Sequence, residues 1–110
     1  MRTWKPISEK DIYSLIDASE WSMNDLQKSF WNIIRLNKPE KWSQHPWGDE
    51  GDGFWVVAVY GNKCLYYNDL EEGFNESTFK VWGEIEEYFS NQIELHEFIG
   101  SIMEYRLNVT

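Results

Sequence analysis

One cysteine, two histidines and three prolines in 110 residues each close off a class of function. Cys64 has no second thiol with which to form an internal disulfide, so a reducing, cytoplasmic setting is expected. With His45 and His96 as the only imidazoles, no Cys/His spacing suggests a zinc site, and no metal or cofactor is expected. No run approaches the roughly 18 apolar residues that a membrane helix needs, and residues 1–6 have no signal-peptide apolar stretch behind them. Basic side chains are scarce as well: Lys+Arg total 10 against Asp+Glu 19, for a net charge of −9. Such a balance argues against a nucleic-acid or membrane partner, because phosphates are held by clustered Lys and Arg. Gly-rich phosphate loops and a G-x-S-x-G elbow are missing too. The length fits a single domain over residues 1–110.

Aromatic residues and acids are abundant. Seven Trp, six Tyr and six Phe make up 17% of the chain. The charge is unevenly placed. Residues 1–48 hold seven bases and six acids, 7 − 6 = +1, whereas the remainder holds three bases and thirteen acids, 3 − 13 = −10. Asymmetry of this kind points to a charged partner or to a solubilising surface.

The first part reads as two helices. Ser8, with Asp11 three residues on, resembles a helix start, and Ile12, Leu15 and Ile16 follow on one stripe. Ser22 with Asp25 predicts a second start, with Leu26, Phe30, Ile33 and Ile34 facing inward and Trp31 on the flank. Pro39 predicts a stop near Asn37. Residues 40–53, punctuated by Pro46, Gly48, Gly51 and Gly53, read as a long loop carrying Trp42 and Trp47. Phe54 to Tyr60 is β-branched and aromatic, the signature of a strand, and Gly61-Asn62 predicts a two-residue hairpin turn into Lys63 to Asn68. That register places Trp55, Val57, Val59, Cys64 and Tyr66 on one face and Phe54, Val56, Ala58, Leu65 and Tyr67 on the other. Neither face is polar, so both need cover. An acidic turn over residues 69–75 leads to a third strand with Phe79, Val81 and Ile85 inward, Gly83 marking a bulge or close approach. Asn91 with Glu94 predicts a last helix carrying Leu95, Phe98, Ile99, Ile102 and Met103. The expected fold is α+β: two N-terminal helices, a three-stranded antiparallel meander, and a C-terminal helix packed on one sheet face.

Candidates for chemistry are thin. His45, near Asp49, has the makings of a general base, or it is merely an exposed loop residue. Cys64 reads as a small core residue. Asp49-Glu50-Gly51-Asp52-Gly53 invites a calcium reading but departs from the EF-hand register, with Tyr60 where the last Glu belongs. Glu71-Glu72 and Glu86-Glu87 are adjacent pairs that a strand would point apart. An enzyme is not expected.

From Gly53-Phe54-Trp55-Val56-Val57-Ala58-Val59 through Tyr67-Asn68-Asp69-Leu70-Glu71-Glu72-Gly73-Phe74-Asn75, with Gly83, Tyr88, Gln92 and Leu95 downstream, the chain resembles small bacterial immunity proteins of polymorphic toxin and contact-dependent growth inhibition systems. The resemblance covers about residues 53–98; residues 1–48 do not match it. It implies a cytoplasmic inhibitor that binds a cognate toxin domain, commonly a nuclease, without a cofactor. Beside it, the residues themselves place a partner surface at Trp47, Asp49, Glu50, Asp52, Tyr67, Asp69, Glu71, Glu72 and Trp82, the acids gathering at one end of the hairpin to meet a basic partner. The alternative is a small carbohydrate- or peptide-binding module that uses exposed Trp42, Trp47 and Trp82.

Overall fold

Ser8 starts the first helix as its sequence suggests: its hydroxyl accepts the Asp11 N–H at 3.1 Å, satisfying a donor that the first turn leaves unpaired. The computed structural model describes residues 5–107, and residues 1–4 of the N-terminal reading lie outside them. Helix α1 spans Glu9–Ser22 and helix α2 spans Asp25–Ile34. Between them the start signal is Asn24, not Ser22. Asn24 exchanges hydrogen bonds with Gln27 in a capping box, the Gln27 N–H donating to Oδ1 at 2.8 Å.

Helix α2 turns a different face inward from the expected one. Trp31 is buried, whereas Ile33 and Leu26 are exposed. The buried Trp31 finds a partner for its indole N–H in Glu20, at 2.8 Å, and that single bond lets a large ring enter the core at the expense of Ile33.

Helix α2 ends three residues before Asn37, and strand β1, Arg35–Trp42, follows without a loop. Its partner is β2, Phe54–Tyr60, with Glu40 opposite Val56 and Trp42 opposite Phe54. Pro39 sits in the irregular stretch between Arg35 and Glu40, on an outer strand, where a missing N–H costs the ladder nothing. The meander continues through β3, Lys63–Asn68, and β4, Gly73–Thr78, in the order β1-β2-β3-β4, all antiparallel. The sheet therefore has four strands, not three, and residues 79–86 do not form one of them.

The two-residue turn at Gly61-Asn62 holds Tyr60 opposite Lys63 and Val59 opposite Cys64. Beyond Ala58 the ladder slips: Val56 lies opposite Tyr66 and Trp55 opposite Tyr67, with Val57 the extra residue of a bulge. The slip exchanges part of each face. Val57, Ala58, Leu65, Tyr67 and Phe74 pack with the helices, and α3, Leu95–Tyr105, closes that layer. Val56, Cys64 and Tyr66 face the other way with Trp42, Phe54 and Ile85. Helix α3 starts from Glu94, whose side chain forms a capping box with Glu97, and not from Asn91.

Candidate functional site

The face of the sheet turned away from the helices is covered by residues 79–93, a return segment with little regular structure, and its placement depends on buried polar side chains. The Tyr66 hydroxyl accepts the Phe89 N–H at 2.7 Å, and Asn68 Nδ2 donates to the Phe89 carbonyl at 2.9 Å. Ser77 Oγ accepts the Glu87 N–H at 2.8 Å. Farther out, the Ser43 N–H donates to the Gly83 carbonyl at 2.9 Å and the Ile85 N–H donates to the Ser43 carbonyl at 2.8 Å. Gly83 takes φ +99°, in the left-handed region, with open space where a Cβ would lie, so the backbone bend and not crowding calls for glycine there.

Residues 68–75 hold the far end of this segment. Asn68 also accepts the Leu70 N–H at 3.0 Å and so folds the Asp69 turn. A Cβ on Gly73 would lie 2.0 Å from the Asn91 carbonyl oxygen. Asn75 binds Asn91. These residues clasp the return segment to the edge of β4.

A layer of rings results. Trp82 lies on buried Trp42, with centroids 5.0 Å apart, and both indole N–H groups donate to Glu40 Oε1, at 2.9 and 3.1 Å. Trp42 faces Phe54 across the ladder. Phe54 meets Tyr88 at 6.2 Å, and Trp47 stacks on Tyr88 at 5.0 Å. Trp47 and Trp82 end the series, each 55% exposed, with exposed Val81 and Phe89 nearby in the chain. Residues 40–53 and 79–90 together carry seven acids (Glu40, Asp49, Glu50, Asp52, Glu84, Glu86 and Glu87) against two lysines. Lys41 is engaged internally, donating to the Gly51 carbonyl at 2.7 Å and lying 5.2 Å from the Trp55 ring. Lys80 approaches Glu86 at 3.8 Å.

Trp47, Asp49, Glu50, Asp52 and Trp82 from the expected partner surface are exposed in this region. The others divide from it. Tyr67 is buried against Phe74 on the helix side, two residues along β3 from Leu65 and so on the same face of the sheet. Asp69 is half-buried and accepts the Ile7 N–H at 2.8 Å, fixing the approach to α1. Burial pushes its carboxyl up, opposed by the Ile7 N–H and the Lys41 charge. Glu71 is exposed in the turn, and Glu72 borders a helix-side groove with Leu15, Ala18 and His96. Trp42 is buried, so it offers no platform to a ligand. Glu40, Gln44, Glu84 and Tyr88 also belong to the face, brought there by the pairing of β1 with β2 and by the path of the return segment, neither of which has a local sequence signal.

The reactive candidates are constrained by their surroundings. His45 Nδ1 lies 2.7 Å from Asp49 Oδ2 in an exposed pair. His96 is half-buried between α1 and α3, its N–H donating to Ser19 Oγ at 3.3 Å. Burial pushes the Cys64 thiol up to about 12, so little thiolate is available at neutral pH. Among the described residues, no group of three or more His, Cys, Asp or Glu side chains gathers to hold a metal ion, and no helix is long and apolar enough to cross a membrane. Compared with known proteins, the chain matches no family model, no curated protein and no solved structure.

Proposed function

We propose that this chain is an immunity-type inhibitor that binds and neutralises a cognate toxin domain, a nuclease being the class the resemblance implies. The observation that carries the reading is the face just described: two half-exposed tryptophans at the ends of a ring layer, on segments that carry seven acids and two lysines. Large rings on a fixed support lose little freedom on binding and suit the desolvated centre of an interface. The surrounding acids favour a cationic partner, and complementary charge speeds encounter and rejects wrong partners. A nuclease that grips phosphates presents a cleft of that sign. In this reading the chain acts by occupying a surface and not by turnover.

The test is co-expression with the C-terminal domain encoded directly upstream of this gene, followed by kinetics on the purified pair. Restored growth, a stoichiometric complex and association that slows steeply with salt are expected. A toxic domain that still kills in its presence, with no complex formed, overturns the reading.

A further inference from the structure

We infer that the cavity between the 43–53 loop and Gly83 is a socket for a guanidinium group, the side chain of an arginine on the protein partner. This rests on the inhibitor reading above and adds to it a residue-level anchor. The cavity has a volume of about 370 Å³ and is lined by Ser43, Gln44, Asp49, Asp52 and Gly83, with Lys41 at one side.

Two independent features call for a donor-rich cation. Asp49 and Asp52 place two carboxylates at the wall. Gln44 is 95% buried, from its 5% exposure, and its Oε1 has no hydrogen-bond partner. A buried acceptor without a donor costs about 1–3 kcal/mol, a deficit that a ligand N–H removes. Arginine supplies five N–H groups in a flat fork and no acceptor, which suits acceptors spread around one cavity. A divalent metal fits less well. Only two carboxylates line the cavity, and the Gly51 and Gly53 carbonyls of the loop already accept from the Lys41 ammonium, at 2.7 and 3.4 Å.

The test needs no toxin, so its failure is distinguishable from failure of the inhibitor reading. N-acetyl-arginine amide, N-acetyl-lysine amide and calcium chloride are titrated separately into the full chain, followed by amide NMR. Saturable shifts are expected for the Gln44 side-chain amide and the Gly48, Gly53 and Gly83 N–H groups with the arginine compound, at least fivefold weaker with the lysine compound. Gln44→Met, which removes the orphan acceptor at similar volume, should weaken arginine binding at least fivefold. Asp49→Asn with Asp52→Asn, both exposed, should weaken it at least tenfold and covers the event that Gln44→Met misfolds. Absence of saturable shifts, equal response to lysine, tighter titration by calcium, or undiminished binding by the double variant each overturns the socket.

Discussion

Asn75 and Asn91 bind each other as two strands would: the Asn91 N–H donates to Asn75 Oδ1 at 3.0 Å, and Asn75 Nδ2 donates to the Asn91 carbonyl at 3.1 Å. One side chain thereby completes the outer edge of β4, where open N–H and C=O groups would otherwise invite another chain. Just before it, the Phe74 N–H donates to the Ile93 carbonyl at 2.9 Å. Asn75→Ala is expected to cost about 1–3 kcal/mol, read as a lower urea midpoint. Gly73→Ala should cost more, since its Cβ meets the Asn91 backbone. Hydrogen exchange should quicken at Phe89 and Asn91 first in both variants, and unaltered exchange there would refute the clasp.

Glu20 ties α1 to two neighbours, its Oε2 accepting from Trp31 Nε1 at 2.8 Å and Arg35 Nη1 at 2.5 Å. The two bonds differ in worth. Trp31 is fully buried and cannot turn to water, whereas Arg35 and Glu20 are each about a quarter exposed, with side-chain exposures of 28%. Glu20→Gln keeps an acceptor for the indole and loses only a partly solvated ion pair, for about 0–1 kcal/mol. Glu20→Ala strands the indole N–H and should cost about 1–3 kcal/mol. Equal denaturation midpoints for the two variants would show that the indole bond contributes nothing.

These pairs also mark how far the sequence was legible. Helix α1, the hairpin turn and the apolar run of α3 follow from local signals: a Ser cap, Gly61-Asn62, and a stripe from Leu95 to Met103. Strand β1 does not, because Arg-Leu-Asn-Lys-Pro-Glu-Lys-Trp has neither alternation nor β-branching, and its ladder partner β2 lies beyond the 43–53 loop. The bulge at Val57 is equally silent: Val56, Val57 and Ala58 are interchangeable in hydrophobicity, so nothing local says which is the extra residue. That one slip moves Phe54 and Val56 from the side of Leu65 and Tyr67 to the side of Cys64 and Tyr66, and so leaves Tyr67 apart from the ring-bearing face. Residues 79–85 read as a strand because Phe79, Val81 and Ile85 alternate, while the side chains that hold the return segment, Tyr66, Asn68, Asn75 and Ser77, lie on other elements.

Stability should fall at alkaline pH through two buried groups. Burial raises the Cys64 thiol from 9.0 to about 12 and the Tyr66 phenol from 10.0 to about 12. Both stay protonated in the folded chain after the unfolded chain has begun to ionise. Their contribution is therefore complete below about pH 9 and is lost as pH rises toward 12. Tyr66→Phe should flatten the decline between about pH 10 and 12, and Cys64→Ala the decline that begins near 9. At pH 8 the thiol should label with a disulfide reagent only as fast as the chain opens, and immediate labelling of the native protein would contradict this assignment.

The two exposed tryptophans should separate stability from recognition. Trp82 shields buried Trp42 and shares Glu40 with it, so Trp82→Ala uncovers a core ring and frees a carboxylate. A loss of about 1–3 kcal/mol in unfolding free energy is expected, together with weaker partner binding. Trp47 rests on Tyr88 from outside, and its indole N–H has no hydrogen-bond partner among the described residues. Trp47→Ala should leave the urea midpoint within about 0.5–1 kcal/mol of the parent, while an interface centred on these rings loses about 2 kcal/mol or more of affinity, mostly as faster dissociation. Asp49→Lys with Asp52→Lys should do the reverse, slowing association and reducing its salt dependence. Glu71→Lys and Glu72→Lys, at the turn and on the helix-side groove, should slow it less. If those two reversals slow association as much as the pair at 49 and 52, the partner surface extends around the sheet end and is not confined to the ring-bearing face.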